Sequence, residues 1–420
     1  MQHEHVDVLI IGAGPSGSVA AAYLQPRVEK IKIVEKTKFP RFVIGESLLP
    51  KCMEHFEEVG LLDALKAQGY QKKHGARFIR GNRSSLFDFG EQYTDAWKWT
   101  WQVPRADFDK VLADEVAKMG VPIDYETTVT DVEFHGSHST TTVVDKAGNK
   151  RYIHAKFILD CSGWGRVLPR LLNMIKPSDM PPRKAVFAHF KDVNRPGGSG
   201  GAQITFYIHR RDLWVWAIPF SNGNTSVGFV GNPAYFDVYE DLGDLEWQIR
   251  TMMSEVPGLS ARFNKAEIAM EPIAMKAFAA SSKQQFGPGF VITGNSSEFL
   301  DPVFSSGVTF ATESGLLSAK LAERQLKGEQ VDWQKEYVDH MEHGIDVFRT
   351  YVNSWYKGSL QDIFFYTAGE DESPENFQSR YNVRRQICSV LAGYVWDETN
   401  PYVKKHKRAV ASLSKIVRIY

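Results

Sequence analysis

The stretch VDVLIIGAGPSG, from Val6 to Gly17, leaves the start of the chain little freedom in how it folds. Its apolar residues up to Ile11 read as a strand. It runs directly into Gly12, Gly14 and Gly17, and SVAAAYLQ then supplies the small, helix-favouring residues of a first helix. KIKIVEK follows as a second strand ending near Glu35. Strand, glycine turn, helix and strand in that order predict a parallel β-α-β unit. The glycines let the backbone turn sharply and leave room for a pyrophosphate at the free N–H groups and positive dipole end of the helix. An acid about 20 residues further on is placed to accept a ribose 2′-hydroxyl. The unit therefore predicts dinucleotide binding. The competing reading is a glycine turn of structural use alone, since GxGxxG recurs in many β-α units.

At 420 residues the chain calls for two or three compact units. Lys plus Arg and Asp plus Glu are 50 each, so no global field recruits nucleic acid or an anionic membrane. Cys52, Cys161 and Cys388 are far apart, without metal-ligand spacing, and read as reduced thiols of a cytoplasmic protein. No apolar run approaches the ~20 residues that span a bilayer, so stable membrane insertion is not expected. Acidic residues before the first strand and glycines within its apolar run argue against a signal peptide.

FPRFVIGESLLP after Glu35, VPRADFDKVLADEVAKMGV around Arg105, DCSG at Asp160 to Gly163, and ITGNSSEFLDPVFSSGVTFATESG from Ile292 continue the pattern. With the glycine turn, these segments resemble the glutathione-reductase-type FAD fold of the hydroxylase-like flavoproteins. The resemblance implies FAD as cofactor and an α/β fold. A discontinuous Rossmann-like FAD-binding domain (1–80, 101–183 and 283–331) would carry an inserted antiparallel-sheet substrate domain (81–100 and 184–282), followed by a helical C-terminal region (332–420). It also implies FAD contacts from Gly12, Gly14, Pro15, Ser16, Gly17, Glu35, Lys36, Arg41, Gly45, Glu46, Ser47, Arg105, Val129, Asp160, Gly163, Gly294, Asn295, Pro302, Ser305, Gly307 and Val308. Asn295 stands where the family usually has aspartate; its amide still bonds a ribityl hydroxyl, without a full charge. The strand-like stretches QITFYIH, LWVWAIPF and TSVGFVG fit the inserted sheet. Phe348, Tyr351, Trp355, Tyr356, Phe364 and Phe365, in the helical region, read first as core and second as the cap of a substrate cavity.

Three further stretches point to chemistry. In LWVWAIPF the alternation puts Trp214, Trp216 and Ile218 on one face of a strand as a flat apolar wall, closed by Pro219. These residues match the WxWxIP motif of flavin-dependent halogenases; the competing reading is an aromatic pair in a sheet core. The resemblance implies that the wall lies beside the flavin, keeps organic substrate away from it, and borders a passage. In KKHGARF, Lys73 aligns with the halogenase lysine, which implies that its amine holds hypohalous acid or forms a haloamine. A solvated lysine beside Lys72 is the alternative. DPVFSSGV opens a helix whose N-terminal donors are placed to stabilise reduced flavin, and the resemblance adds a halide at Ser306 and Gly307. Phe304 replaces the glutamate of tryptophan halogenases, so the resemblance is to the branch acting on phenols and pyrroles. It implies an oxidoreductase using FADH2 from a separate flavin reductase, O2 and halide, on an electron-rich aromatic that is free or carrier-protein-bound. The rival is a reductase of the geranylgeranyl-reductase type, acting on a lipid alkene. That group places Phe-Pro-Lys at Ile218, Pro219 and Phe220. A noncatalytic flavin-binding protein is the third reading.

Overall fold

The computed structural model describes residues 2–276, 279–368 and 374–417. The opening strand, Gln2–Ile11, lies at the centre of a parallel array, between Lys150–Asp160 on one side and Ile31–Val34 on the other. Phe290–Ile292 and Ile123–Asp124 extend the array in parallel at its two ends. Val8, Leu9 and Ile10 have no exposed surface, as a strand covered on both faces requires. The helices Pro15–Leu24 and Gly307–Leu326 pack against each other over this sheet. Gly12 makes the turn possible: its φ is +102°, and a Cβ there would lie 2.6 Å from the Cys161 carbonyl oxygen.

A second sheet of seven strands runs in the spatial order Ile268–Lys276, Lys184–Lys191, Asn224–Gly231, Leu213–Pro219, Ile204–Arg210, Gly75–Arg80 and Arg83–Asp88. Its pairs are antiparallel except where Ile204–Arg210 meets Gly75–Arg80. Gly75–Arg80 thus joins this sheet although it precedes residue 81. The two faces separate with period two. Val186, Val215, Val227 and Phe229 pack beneath the helices Leu245–Ser254 and Pro257–Phe263. Phe187, Phe206, Trp214, Trp216 and Ile218 face the main core. The covering helices interrupt the segment expected to be sheet alone; their Ile249, Met252, Met253 and Leu259 recur at helical spacing and are fully buried.

The C-terminal region is helical, with Asp339–Tyr356, Ser359–Tyr366 and His406–Val417 among its elements. Phe348, Tyr351, Trp355, Phe364 and Phe365 are buried core, and Phe304 packs against the first three. Among the described residues no helix is long and apolar enough to cross a membrane, and the three cysteines are free and buried.

Candidate active site

A cavity of ≈ 620 Å³ runs between the parallel sheet and the inner face of the seven-stranded sheet. Its lining takes in Gly12 to Ser16 at the first turn, omitting Ala13, and then Glu35, Lys36 and Arg41. It continues through Gly45, Glu46, Ser47, Arg105, Val129 and Gly163 to Gly294, Asn295, Pro302, Ser305, Ser306, Gly307 and Val308. Trp214, Trp216 and Ile218 close one side. These segments come together because the two helices that start at the glycine turn and at Gly307 both direct their N-termini to this space. Neither N-terminus is capped by a side chain.

The residues fit FAD. A Cβ on Gly14 would meet only the Arg41 guanidinium, at 3.7 Å, so the turn leaves an open cradle at a helix N-terminus. Arg105 grips Asp109 with two nitrogens at 2.8 and 3.0 Å, and Arg41 reaches the same carboxylate at 3.0 Å. Two guanidinium groups share the buried Asp109 carboxylate, and Arg41 also lies 3.9 Å from Glu35, so the charges pair off and the cradle offers a pyrophosphate guanidinium N–H donors beside the helix N-terminus. Arg105 also donates to the carbonyls of Ile44 and Gly45 and so shapes the loop before Glu46. Glu35 accepts the Ala13 N–H at 3.0 Å and both donors of Thr37, which fixes its carboxylate beside the glycine turn on the cavity lining. Among the described residues no cluster fits a metal ion.

Four of the expected residues lie off the cavity lining. Gly17 serves packing, since a Cβ there would be 2.0 Å from the Gly12 carbonyl oxygen. Asp160, fully buried, accepts the Ser162 and Leu168 N–H groups and braces the DCSG turn. The Pro219 carbonyl accepts from Gln102 Nε2 at 2.6 Å. Lys73 is the fourth. It ends a short strand paired with Thr100–Gln102, is 1% exposed, and donates to Ser47 Oγ at 2.9 Å and to the Leu48 carbonyl at 2.7 Å. Burial pushes its ammonium down to about 7, with Cys52 opposing. Lys72 points the other way, exposed, over the Trp99 ring. Lys73 is therefore neither solvated nor in the cavity; it stands behind Ser47, which lines it.

The wall is faceted rather than flat, because the two indoles are tilted by 49°. Trp216 Nε1 donates to Ser226 Oγ, and Trp214 Nε1 to the Tyr356 hydroxyl, both at 3.0 Å. Gly228, opposite Trp216 in register, makes room for the indole: a Cβ there would lie 2.2 Å from Trp216 Cζ2. Phe187, Phe206, Ile273 and Met275 also line the cavity and were missed in the sequence. The alternation in QITFYIH, paired to LWVWAIPF, would have found Phe206, which sits opposite Trp216.

The family described as "FAD binding domain" matches residues 5–218. The chain is 29% identical to a 1H-pyrrole-2-carbonyl-[peptidyl-carrier protein] brominase of Pseudoalteromonas luteoviolacea, covering 79% of this chain and 80% of that one. It is similar to the solved structure of the flavin-dependent brominase Bmp2, at 26% identity and a TM-score of 0.83 over 99% of this chain and 100% of that one. A structure from Cytophaga hutchinsonii, described as a flavoprotein/dehydrogenase, is 52% identical with a TM-score of 0.94, covering 99% of each chain. An FAD-shaped cradle, a tryptophan wall on the inserted sheet and these likenesses converge: the chain belongs to the flavin-dependent halogenase family of FAD-dependent oxidoreductases.

Proposed function

We propose that this enzyme halogenates an electron-rich aromatic, a phenol or a pyrrole, free or bound to a carrier protein. The balance is ArH + X⁻ + H⁺ + O2 + FADH2 → ArX + FAD + 2 H2O, with FADH2 supplied by a separate flavin reductase. Bound as FADH2, the flavin supplies the two electrons that reduce O2 while halide is oxidised.

The chain's own residues do the rest. Uncapped N–H groups at Ser306 and Gly307 hold the halide at a positive helix end. Trp214, Trp216 and Ile218 keep the aromatic substrate off the flavin. Ser47 stands between the cavity and Lys73 Nζ, and a turn of its side chain brings the amine into contact with hypohalous acid. A lysine held near 7 is available both as ammonium, which hydrogen-bonds the acid, and as amine, which accepts the halogen. Phe304 offers no carboxylate to activate the ring, so the substrate's own O–H or N–H must do so.

The observation that carries this reading is the buried Lys73, one hydroxyl away from a cavity walled by the motif tryptophans. A second reading, reduction of an alkene, is favoured by the apolar surface of Phe187, Phe206, Ile273 and Met275 within the same cavity. The two separate cleanly. Halogenation needs O2 and halide, whereas an alkene reductase reoxidises its flavin anaerobically. Halide-independent, anaerobic flavin reoxidation by a polyprenyl compound would overturn the halogenase reading.

A further inference from the structure

Trp214 is not held by packing alone. Its Nε1–H donates to the Tyr356 hydroxyl at 3.0 Å, and that hydroxyl donates to Asp301 Oδ2 at 2.9 Å. Asp301 Oδ1 accepts the Val303 N–H at 2.9 Å. Asp301 opens the single turn Pro302–Phe304, which leads directly to Ser305, Ser306 and Gly307 at the uncapped helix end on the cavity. One hydrogen-bonded chain therefore ties the wall to the flavin cradle. Its middle member comes from the helix Asp339–Tyr356, outside both cavity-lining sheets.

The residue type in the middle is chemically specific. An indole N–H only donates and an ionised carboxylate only accepts, so the group between them must do both. A phenol does. Phenylalanine fills comparable places nearby, at Phe348, Phe364 and Phe365, where only packing is needed. Trp214 and Asp301 are 1% and 3% exposed, so an unmade bond there has no water to replace it. Arg183 lies 3.9 Å over the Tyr356 ring and adds a cation to the group. Burial pushes the Asp301 carboxyl up to about 6, opposed by the Val303 N–H, the Tyr356 hydroxyl and Arg183.

We propose that Tyr356 is a positioning residue: through Trp214 and Asp301 it fixes the tilt of the wall relative to the helix end that holds flavin and halide. The inference rests on the halogenase reading for the reaction it serves. A wall that is free to swing lets oxidant escape to water before the substrate is reached.

Tyr356→Phe keeps the ring beneath Arg183 and removes both hydrogen bonds. In FAD-free protein labelled with ¹⁵N-indole tryptophan, the Trp214 resonance is assigned with Trp214→Phe. In Tyr356→Phe its indole proton should shift and exchange about ten-fold faster, the effect of losing one hydrogen bond. With FAD, flavin reductase, NADH and bromide, peroxide released per NADH should rise roughly three-fold while FAD affinity stays within about two-fold of the parent. An unchanged indole resonance, or an unchanged peroxide yield alongside a shifted resonance, overturns the proposal. Failure of the halogenase reading shows separately, as absence of bromination by the parent itself.

Discussion

Replacing Lys73 by methionine tests the burial on which its chemistry depends. In the unfolded chain the ammonium has its ordinary pKa of 10.5; in the folded protein burial lowers it to about 7. Between those values the unfolded chain binds the proton and the folded protein releases it, so unfolding takes up a proton. Stability therefore rises with pH across this window and has lost the contribution fully below it. The slope reaches about 1.4 kcal/mol per pH unit after starting at half that near pH 7, so this group alone adds about 2 kcal/mol between pH 7 and pH 9. Methionine keeps an unbranched chain of similar bulk and removes the titration. At pH 7 it escapes a desolvation cost of about 4 kcal/mol but forfeits the bonds to Ser47 and Leu48, about 1 kcal/mol each. Lys73→Met should thus be the more stable protein at pH 7, by about 2 kcal/mol, with the gap closing by pH 9. Urea unfolding of the FAD-free parent and variant at pH 7, 8 and 9, followed by tryptophan fluorescence, reads this directly. A gap that does not change with pH would mean that Lys73 keeps an ordinary ammonium, and the near-neutral amine would be lost from the account.

Gly14→Val should fold normally, because its Cβ meets only Arg41, but should weaken FAD binding about a hundred-fold or more by filling the pyrophosphate cradle, measured by flavin fluorescence titration. Gly12→Ala should act on the fold instead: a φ of +102° and a 2.6 Å approach to the Cys161 oxygen cost about 1–3 kcal/mol, seen as a lower melting temperature without FAD. Gly228→Ala forces the Trp216 indole to move and should cost about 1–3 kcal/mol while raising peroxide release per NADH; an unchanged yield would show that the tilt of Trp216 does not matter.

What was legible in the sequence is what short-range rules decide. Val8 to Ile10, apolar throughout and followed at once by the glycine turn, read as a buried strand, and Gly12 holds a conformation that other residues rarely adopt. Period two alone placed Trp214, Trp216 and Ile218 on one face. What was not legible depends on pairing across the chain. The 49° tilt of the indoles follows from Gly228 opposite Trp216 and from the Ser226 and Tyr356 partners, none of them local to the motif. Phe187 and Met275 reach the cavity through strand register. The shared hold of Arg41 and Arg105 on Asp109 joins a loop to a helix 68 residues away. Lys73 lies on a strand too short to show alternation, so its burial and Lys72's exposure could not be separated by pattern. The outer helices escaped notice because strand signals on both sides of them suggested an uninterrupted sheet.

In the proposed reaction Lys73 delivers halogen after oxygen has reacted. The direct test supplies parent and Lys73→Met with FAD, a flavin reductase, NADH, bromide and a panel of phenols and pyrroles, and follows oxygen uptake and brominated product together. The parent should give the bromine isotope doublet by mass spectrometry. The variant should give none while its oxygen uptake stays within about two-fold of the parent's, as expected for a group needed only in the later step. A variant that brominates at the parent's rate would contradict the account, as would a parent that consumes oxygen and bromide yet brominates none of the panel.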